Sequence, residues 1–107
     1  MITKEKISEI VRRIATGYDP DKIILFGSYA DGKPDVHSDI DIFVIKQSEL
    51  SRPERTIQLR KLLFGIGVPM DIIVYTPKEV NSEIDSKYSF VNEVLTTGTT
   101  VYERKKH

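Results

Sequence analysis

Two apolar runs separated by a polar loop occupy residues 22–45, which read KIILFGSYADGKPDVHSDIDIFVI. The first run, Lys22 to Phe26, is short and rich in β-branched residues, and it stops at Gly27-Ser28. The second run, Ile40 to Ile45, is apolar at every position except Asp41, which is typical of a strand covered on both faces towards its end. The two runs therefore predict two buried strands joined by a turn over Tyr29 to Ser38.

A helix is predicted ahead of this pair and another behind it. After a possible Thr3 cap, apolar residues recur at helical spacing, at Ile7, Ile10, Val11 and Ile14. Gly17 is placed to end this first helix in a left-handed turn. Ser51 and Glu54 have the spacing of a capping box. The helix that follows has an apolar stripe and is expected to close at Gly65; the stripe is Ile57, Leu62 and Leu63.

The last third of the chain predicts a third strand, two helix starts and a short closing strand. Val68 to Tyr75 has strand character, and Thr76 to Glu79 has a cap, a proline at the first helical position and an acidic third residue. Phe90 to Leu95 indicates a final helix that stops at Gly98, followed by a strand at Thr100 to Tyr102. The fold class is therefore α/β (α+β), a small mixed sheet with helices mainly on one face.

Length and composition restrict the function classes. A chain of 107 residues is expected to form one domain, here residues 1–103, followed by a charged and solvated tail at 104–107. The 16 basic residues balance 16 acidic residues, which disfavours a strong nucleic-acid binder. There is no cysteine, no signal-peptide core and no run of about 20 apolar residues, so we expect a cytoplasmic protein without a membrane segment.

Three aspartates interrupt the predicted strands, at Asp39, Asp41 and Asp71. Each alone could cap a turn or pair with a basic residue. Residues i and i+2 of a strand share a face, so Asp39 and Asp41 hold their carboxylates side by side, where like charges repel unless a cation lies between them. Mg²⁺ prefers oxygen ligands of this kind, and Asp71 would complete a site for two ions about 3.5–4 Å apart. This combination predicts phosphoryl-transfer chemistry.

Gly27-Ser28 follows the first strand and precedes the strand that carries the paired aspartates. Glycine lets the backbone approach an anion closely, and the following amides and the Ser28 hydroxyl can donate hydrogen bonds to phosphate oxygens. His37 is a weaker candidate for a metal ligand because Mg²⁺ prefers oxygen. The basic residues of the third-quarter helix are better explained as a solvated face; they are Arg52, Arg55, Arg60 and Lys61.

The spacing of Gly27-Ser28 and Asp39-Ile40-Asp41 resembles the signature of the DNA polymerase β-type nucleotidyltransferase superfamily. More closely, residues 25–32 (LFGSYADG) with residues 38–42 (SDIDI) resemble the minimal nucleotidyltransferases of bacteria and archaea. The resemblance implies that Asp39 and Asp41 ligate Mg²⁺, that Asp71 is the third carboxylate, and that Gly27 and Ser28 hold the triphosphate. It also implies attack on the α-phosphate of ATP or another nucleoside triphosphate with release of pyrophosphate.

The chain departs from the pattern of these relatives in the loop between the two motif halves. Relatives commonly carry basic residues there, whereas this chain has Asp31 and Asp35 and a single local cation, Lys33. A partner could supply the missing positive charge, or the chain could bind nucleotide weakly or lack activity. The sequence leaves these alternatives open.

The acceptor of the nucleotide is expected to come from outside the motif region, since the 36 residues after Asp71 are used mainly for closing helices. The resembling family often acts as the antitoxin of a HEPN-domain RNase toxin, by binding it and in some members by adenylylating it. Two alternatives are a catalytically weak module that neutralises such a toxin by binding, and a subunit of a small-molecule nucleotidyltransferase. Acceptor, base preference and a homo-oligomeric state stay open.

Overall fold

The computed structural model describes residues 2–30, 32 and 39–105. Strands β1 to β4 comprise Lys22–Phe26, Ile40–Ile45, Met70–Tyr75 and Thr99–Glu103. Helices α1 to α4 comprise Lys4–Tyr18, Arg52–Leu62, Pro77–Glu83 and Phe90–Thr97, and a 3-10 turn covers Gly27–Tyr29. The predicted bounds of β1 and β2 are confirmed at both ends, because each apolar run is interrupted by polar or glycine residues at its borders.

The four strands form one mixed sheet in the order β3-β2-β1-β4. Strand β1 is antiparallel to both β2 and β4, while β2 is parallel to β3. The parallel pair is connected through α2, as expected because two parallel neighbours need a crossover rather than a tight turn. The α/β fold with a mixed sheet is confirmed.

Helices cover both faces of the sheet. The two longer helices, α1 and α2, pack on one face through residues such as Ile10, Ile14 and Leu59. The shorter α3 and α4 pack on the other face, where Val80 and Val91 join a second core cluster. The sequence predicted helices mainly on one face, whereas the structure has two helices on each face, because α3 and α4 form a second layer.

Strand β2 is buried on both faces, as its continuous apolar sequence predicts. Ile42 and Val44 belong to the cluster under α1 and α2, whereas Phe43 and Ile45 belong to the cluster under α3 and α4. Successive side chains of a strand point to opposite faces, so a strand with helices on both sides needs apolar residues at every position. Asp41 is the exception, and it lies at the end of the strand that carries the candidate site.

Helix α1 differs from the prediction only at its C-terminal end. Thr3 caps its start by accepting a hydrogen bond from the Lys6 amide, as expected. The left-handed residue at its end is Asp19, with φ 51°, and Gly17 lies inside the helix. The carbonyl of Asp19 accepts hydrogen bonds from Lys46 and Arg104, so contacts with distant residues fix the position at which the helix stops.

Helix α2 buries a different face from the predicted one. Ser51 caps it as expected, by accepting from the Glu54 amide. Leu59 and Leu63 are buried, but Ile57 is 56% exposed and does not belong to the apolar stripe. The inward face of the helix instead includes Arg55, four residues before Leu59, and its guanidinium is satisfied inside the protein. The helix ends at Leu62, ahead of Gly65.

The third strand and the last helices follow the predicted signals closely. Strand β3 begins at Met70 rather than Val68, because Pro69 has no amide to donate to the ladder. Thr76 and Glu79 form the expected capping box, and α4 ends at Gly98 as predicted. No helix in the described part of the chain is long and apolar enough to cross a bilayer.

The predicted solvated tail is held at its first residue. The amide of Arg104 donates to the carbonyl of Asp21 at 2.9 Å, and its guanidinium pairs with the carboxylates of Asp19 and Asp21. Arg104 therefore docks the end of β4 onto the loop before β1, which corrects the expectation of a freely solvated side chain. Residues 106 and 107 lie outside the described residues.

Candidate active site

The register of the sheet brings the candidate residues together at one edge. Asp41 is the partner of Asp71 in the parallel β2–β3 ladder and of Phe26 in the antiparallel β1–β2 ladder. Asp39 lies directly before β2, two residues from Asp41. The start of β2, the start of β3 and the end of β1 therefore meet at one place, where all three predicted carboxylates are located.

The carboxylates lie on the α3/α4 side of the sheet. Asp41 has the same parity along β2 as Phe43, and Asp71 has the same parity along β3 as Ile73, and both apolar residues belong to the cluster under α3 and α4. Asp41 is half-buried, whereas Asp39 and Asp71 are exposed. The site is therefore a partly sheltered carboxylate flanked by two that face solvent.

The surroundings of Asp41 disfavour its ionised form. Burial raises the pKa of Asp41, and the adjacent Asp71 raises it further through its charge and a side-chain hydrogen bond, with a smaller contribution from Asp39. Each of these causes disfavours the ionised carboxylate. A divalent cation between the carboxylates would reverse this effect, because it compensates the charge that burial and the neighbouring acids penalise.

The donor set fits Mg²⁺ better than a transition metal. Within the residues that the structure describes, no three acidic or histidine side chains are arranged as a complete metal-binding group. Asp41 and Asp71 supply two adjoining carboxylates, and Asp39 lies beside them. Mg²⁺ is usually held by one or two protein carboxylates, with waters and substrate phosphates as its other ligands. The chemistry of these two carboxylates is therefore compatible with such an ion.

Gly27 lies against Asp41 and has a backbone conformation that suits glycine. Its φ is 74°, in the left-handed region, and a Cβ atom on this residue would fall closer to Asp41 Oδ2 than real Cβ atoms approach other atoms. Both features exclude a side chain. The turn that follows β1 can therefore approach the carboxylate only because residue 27 is glycine, a contact that the sequence analysis did not foresee.

The 3-10 turn holding Ser28 is anchored at its far end. The amide of Ala30 donates to the carbonyl of Gly27 at 3.1 Å, which closes the turn. The hydroxyl of Tyr29 accepts a hydrogen bond from the amide of Ile2 at 2.8 Å, and this bond ties the turn to the start of α1. Tyr29 therefore positions the turn, a role for which the sequence offered no signal.

Two arginines of α2 lie away from the three carboxylates. Arg55 is buried, pairs with Glu79 at 2.7 Å and donates to the carbonyl of Val74 near the C-terminal end of β3, away from the carboxylates. Arg52 pairs with the same glutamate. The residues of the motif loop that carry charge or an imidazole lie outside the described residues; they are Asp31, Lys33, Asp35 and His37.

A mixed sheet that brings paired aspartates against a glycine-serine turn defines the catalytic domain of a nucleotidyltransferase. A family model described as Polymerase beta, Nucleotidyltransferase matches residues 5–107. The chain belongs to this family, as a minimal nucleotidyltransferase domain, and is a nucleotidyltransferase.

Three known proteins illustrate the similarity. The chain is 35% identical over 105 residues to the "Putative protein adenylyltransferase" of Methanocaldococcus jannaschii, with 95% of this chain and 100% of that protein covered. A "putative nucleotidyltransferase from Sulfolobus solfataricus" superposes with a TM-score of 0.66 at 23% identity, covering 95% of this chain and 81% of that one. A toxin-antitoxin crystal structure with AMP-PNP superposes with a TM-score of 0.58 at 24% identity, covering 97% and 76%. The two structural likenesses concern the fold.

Proposed function

We propose that this protein transfers AMP from ATP to a hydroxyl group of a partner protein, in a reaction that depends on Mg²⁺. The contact of Asp41 with Asp71 on one side and with Gly27 on the other carries this proposal. It unites a cation site and a phosphate-binding turn within one edge of the sheet. Catalysis here consists chiefly of positioning and of neutralising charge.

Each residue of the edge has a role in this proposal. Asp39 and Asp41 hold the metal, and Asp71 is the third carboxylate, beside the acceptor. Gly27 and Ser28 hold the triphosphate through backbone amides and the serine hydroxyl. Bound Mg²⁺ supplies charge neutralisation of the phosphates and of the developing negative charge.

The reaction is an in-line displacement at the α-phosphorus of ATP. The acceptor hydroxyl oxygen forms a bond to the α-phosphorus, while the bond from that phosphorus to the oxygen bridging to the β-phosphorus breaks. Pyrophosphate leaves with the electron pair of that bond, and the hydroxyl proton passes to the Asp71 carboxylate and then to water. The sheet order supports this assignment, because β3 is an edge strand and exposes Asp71 to an incoming acceptor.

The acceptor in this proposal is a toxin protein, and the chain is its antitoxin in the cytoplasm. A relative of similar length is described as an adenylyltransferase of proteins, and a structural relative is a toxin-antitoxin solved with AMP-PNP. The family resemblance points to a HEPN-type RNase as the toxin. Such a partner could also supply positive charge near the motif loop, which contains Asp31 and Asp35.

The test is co-expression of the chain with the protein encoded beside it, followed by purification of the pair and incubation with Mg²⁺ and ATP. Mass spectrometry is expected to find one AMP group on the partner, on a Tyr, Ser or Thr hydroxyl. Asp39→Asn is expected to abolish this gain while the complex still forms.

Two other outcomes would contradict the proposal. If the partner co-purifies without gaining mass, and the Asp39→Asn chain still neutralises it, the protein acts as a binding module. If no partner co-purifies and the chain adenylylates a small metabolite, the antitoxin assignment is wrong.

A further inference from the structure

A pocket of about 270 Å³ borders the phosphate-binding turn on the flank away from Asp71. Its lining comes from the end of β1, from Gly27 and from one side of α4; the residues are Phe26, Gly27, Phe90, Glu93, Val94 and Thr97. The volume is near the lower end for small-molecule sites, about 300 Å³ upward, so the pocket suits one ring system rather than a whole nucleotide.

The α4 residues of the pocket form a single stripe. Phe90, Glu93, Val94 and Thr97 occupy positions i, i+3, i+4 and i+7, so they lie along one side of the helix, and Val94 is the buried member of the four. The rings of Phe26 and Phe90 meet edge to face, with centroids 5.6 Å apart. Phe90 is also 38% exposed, so part of its ring remains open to a ligand. The pocket thus has an aromatic wall next to the turn that holds phosphate.

The polar side chains of the pocket accept hydrogen bonds. An ionised glutamate at position 93 is an acceptor only. The Thr97 hydroxyl donates its proton to the Glu93 carbonyl at 2.8 Å, which leaves its lone pairs for a ligand. A ring with an exocyclic amino group matches these acceptors, whereas a ring with a carbonyl at that position does not. Adenine carries such an amino group.

The order of the strands separates this pocket from the acceptor side. Across the edge of the sheet, Asp71 on β3 comes first, Asp41 on β2 is next, and Phe26 at the end of β1 follows. The pocket lies beside Phe26 and Gly27, so Asp41 lies between it and the exposed Asp71. A nucleotide whose phosphates lie against Gly27 can therefore extend its base into the pocket while the acceptor approaches from the Asp71 side.

We infer that the pocket between Phe26 and α4 is the nucleobase subsite, in which Phe90 packs against the base and Glu93 selects a 6-amino purine. This inference rests on the proposed function, since it takes the phosphates to lie at Gly27 and Ser28. It adds the residues that choose the base.

The experiment measures binding of three ligands to the isolated full chain by calorimetry with Mg²⁺: a non-hydrolysable ATP analogue, the matching 6-oxo (inosine) analogue, and inorganic tripolyphosphate. The wild type is expected to bind the adenine analogue at least about tenfold more tightly than the inosine analogue, the scale of one hydrogen bond to a charged group. Glu93→Gln is expected to bring this ratio towards one, because an amide can donate to the 6-oxygen.

Phe90→Ala tests the aromatic wall. This variant is expected to lower the affinity for the adenine analogue about tenfold, the scale of lost base stacking. Its affinity for tripolyphosphate should stay unchanged. Phe90→Leu keeps the apolar packing in case the alanine variant unfolds. It is also expected to lower the affinity for the adenine analogue. Tyr88→Ala is the matched control, because Tyr88 is 90% exposed on the same segment and does not line the pocket.

The ligand set distinguishes failure of this inference from failure of the proposed function. If the wild type binds tripolyphosphate and both nucleotides equally well, or if the Phe90 and Glu93 variants leave nucleotide affinity unchanged, the pocket is not the base subsite. In that case the pocket serves another purpose, such as holding a partner side chain. If the wild type binds neither nucleotide nor tripolyphosphate, the proposed function falls and this inference falls with it.

Discussion

A methyl group on Gly27 would overlap the Asp41 carboxylate, so the 3-10 turn after β1 and strand β2 keep their present spacing only because residue 27 has no side chain. Gly27→Ala is expected to displace Asp41 and to abolish detectable Mg²⁺-dependent binding of an ATP analogue in calorimetry. It should also lower stability by about 1–2 kcal/mol, because φ at this position is 74°.

Gly65→Ala separates these two effects. Gly65 also has a positive φ, 83°, but nothing lies within 4 Å of an added Cβ atom. This variant should lose similar stability and keep nucleotide binding. Full binding by Gly27→Ala, or equal loss of binding in both variants, would contradict the steric account.

Metal and nucleotide together are expected to stabilise the wild type and not Asp41→Asn. An ATP analogue with Mg²⁺, at about 100 times its dissociation constant, adds about 2.7 kcal/mol to the free energy of unfolding. This corresponds to a rise in Tm of roughly 10–20 °C for a domain of this size. Without metal, Asp41→Asn should melt no lower than the wild type, since the buried charge beside Asp71 is removed.

Asp85→Asn is the control for this measurement, because Asp85 is an exposed carboxylate between α3 and α4. It should respond to Mg²⁺ and nucleotide as the wild type does. An equal rise in Tm for Asp41→Asn would show that Asp41 does not bind the metal.

Ser28→Ala is expected to weaken nucleotide binding by about 1–2 kcal/mol, the scale of one hydrogen bond to a charged group. Ser28 lies inside the 3-10 turn, whose closure uses the backbone of Gly27 and Ala30 rather than a side-chain cap. Its Tm should therefore stay close to that of the wild type. A lowered Tm with unchanged affinity would instead assign Ser28 a structural role.

The strands of the site could be predicted because the signals that define them lie within or next to each strand in the sequence. Strand β1 stops where Gly27 follows an apolar run, and β2 begins at Ile40, between the paired aspartates. The i, i+2 spacing of Asp39 and Asp41 also placed them on one face before any fold was known. The pairing of Asp41 with Asp71 needed only that β2 and β3 be neighbours in register.

The remaining features depend on contacts between distant residues. The collision between Gly27 and Asp41 follows from the turn conformation and the strand register together, and the anchoring of Tyr29 by Ile2 spans 27 positions. The inward face of α2 was assigned wrongly because a buried arginine, Arg55, was taken for a surface residue. Its partner Glu79 belongs to another helix, and no local pattern links the two.

The pair of Arg55 and Glu79 predicts a specific dependence of stability on pH. Partial burial alone would raise the pKa of Glu79, but hydrogen bonds from Arg55 and the Thr76 amide, with the charges of Arg55 and Arg52, outweigh it and lower the pKa to about 2. A carboxylate with a depressed pKa contributes its full stability above the unfolded value of 4.5 and loses it as the pH falls towards 2.

Glu79→Gln is therefore expected to lower the free energy of unfolding by about 1–3 kcal/mol at pH 7 and to flatten its decline between pH 4.5 and 2 in urea titrations. Glu103→Gln is the control, since its carboxylate is 61% exposed and lies 3.6 Å from Lys22 Nζ. An exposed pair of this kind contributes about 0–1 kcal/mol. Equal pH profiles for the wild type and Glu79→Gln would show that the pair does not couple protonation to folding.

Two glycines in different surroundings predict opposite effects of the same substitution. At Gly98 an added Cβ would lie 2.5 Å from the carbonyl oxygen of Val94 and 2.6 Å from Cγ2 of Ile24, so α4 could no longer pack against β1 at its present distance. Gly98→Ala is therefore expected to lower the free energy of unfolding by about 1–3 kcal/mol, the usual cost of overpacking.

Gly17 lies within α1, and the nearest neighbours of an added Cβ are the terminal methyl groups of Leu62, at 3.3 and 3.4 Å. These atoms belong to a flexible side chain that is 37% exposed and can move aside. Alanine is a better helix former than glycine by about 1 kcal/mol, so Gly17→Ala should raise stability by up to that amount. Urea unfolding of both variants decides the matter: a stabilised Gly98→Ala would mean that α4 does not pack as closely on β1 as its backbone indicates, and a destabilised Gly17→Ala would mean that Leu62 is held rigidly against α1.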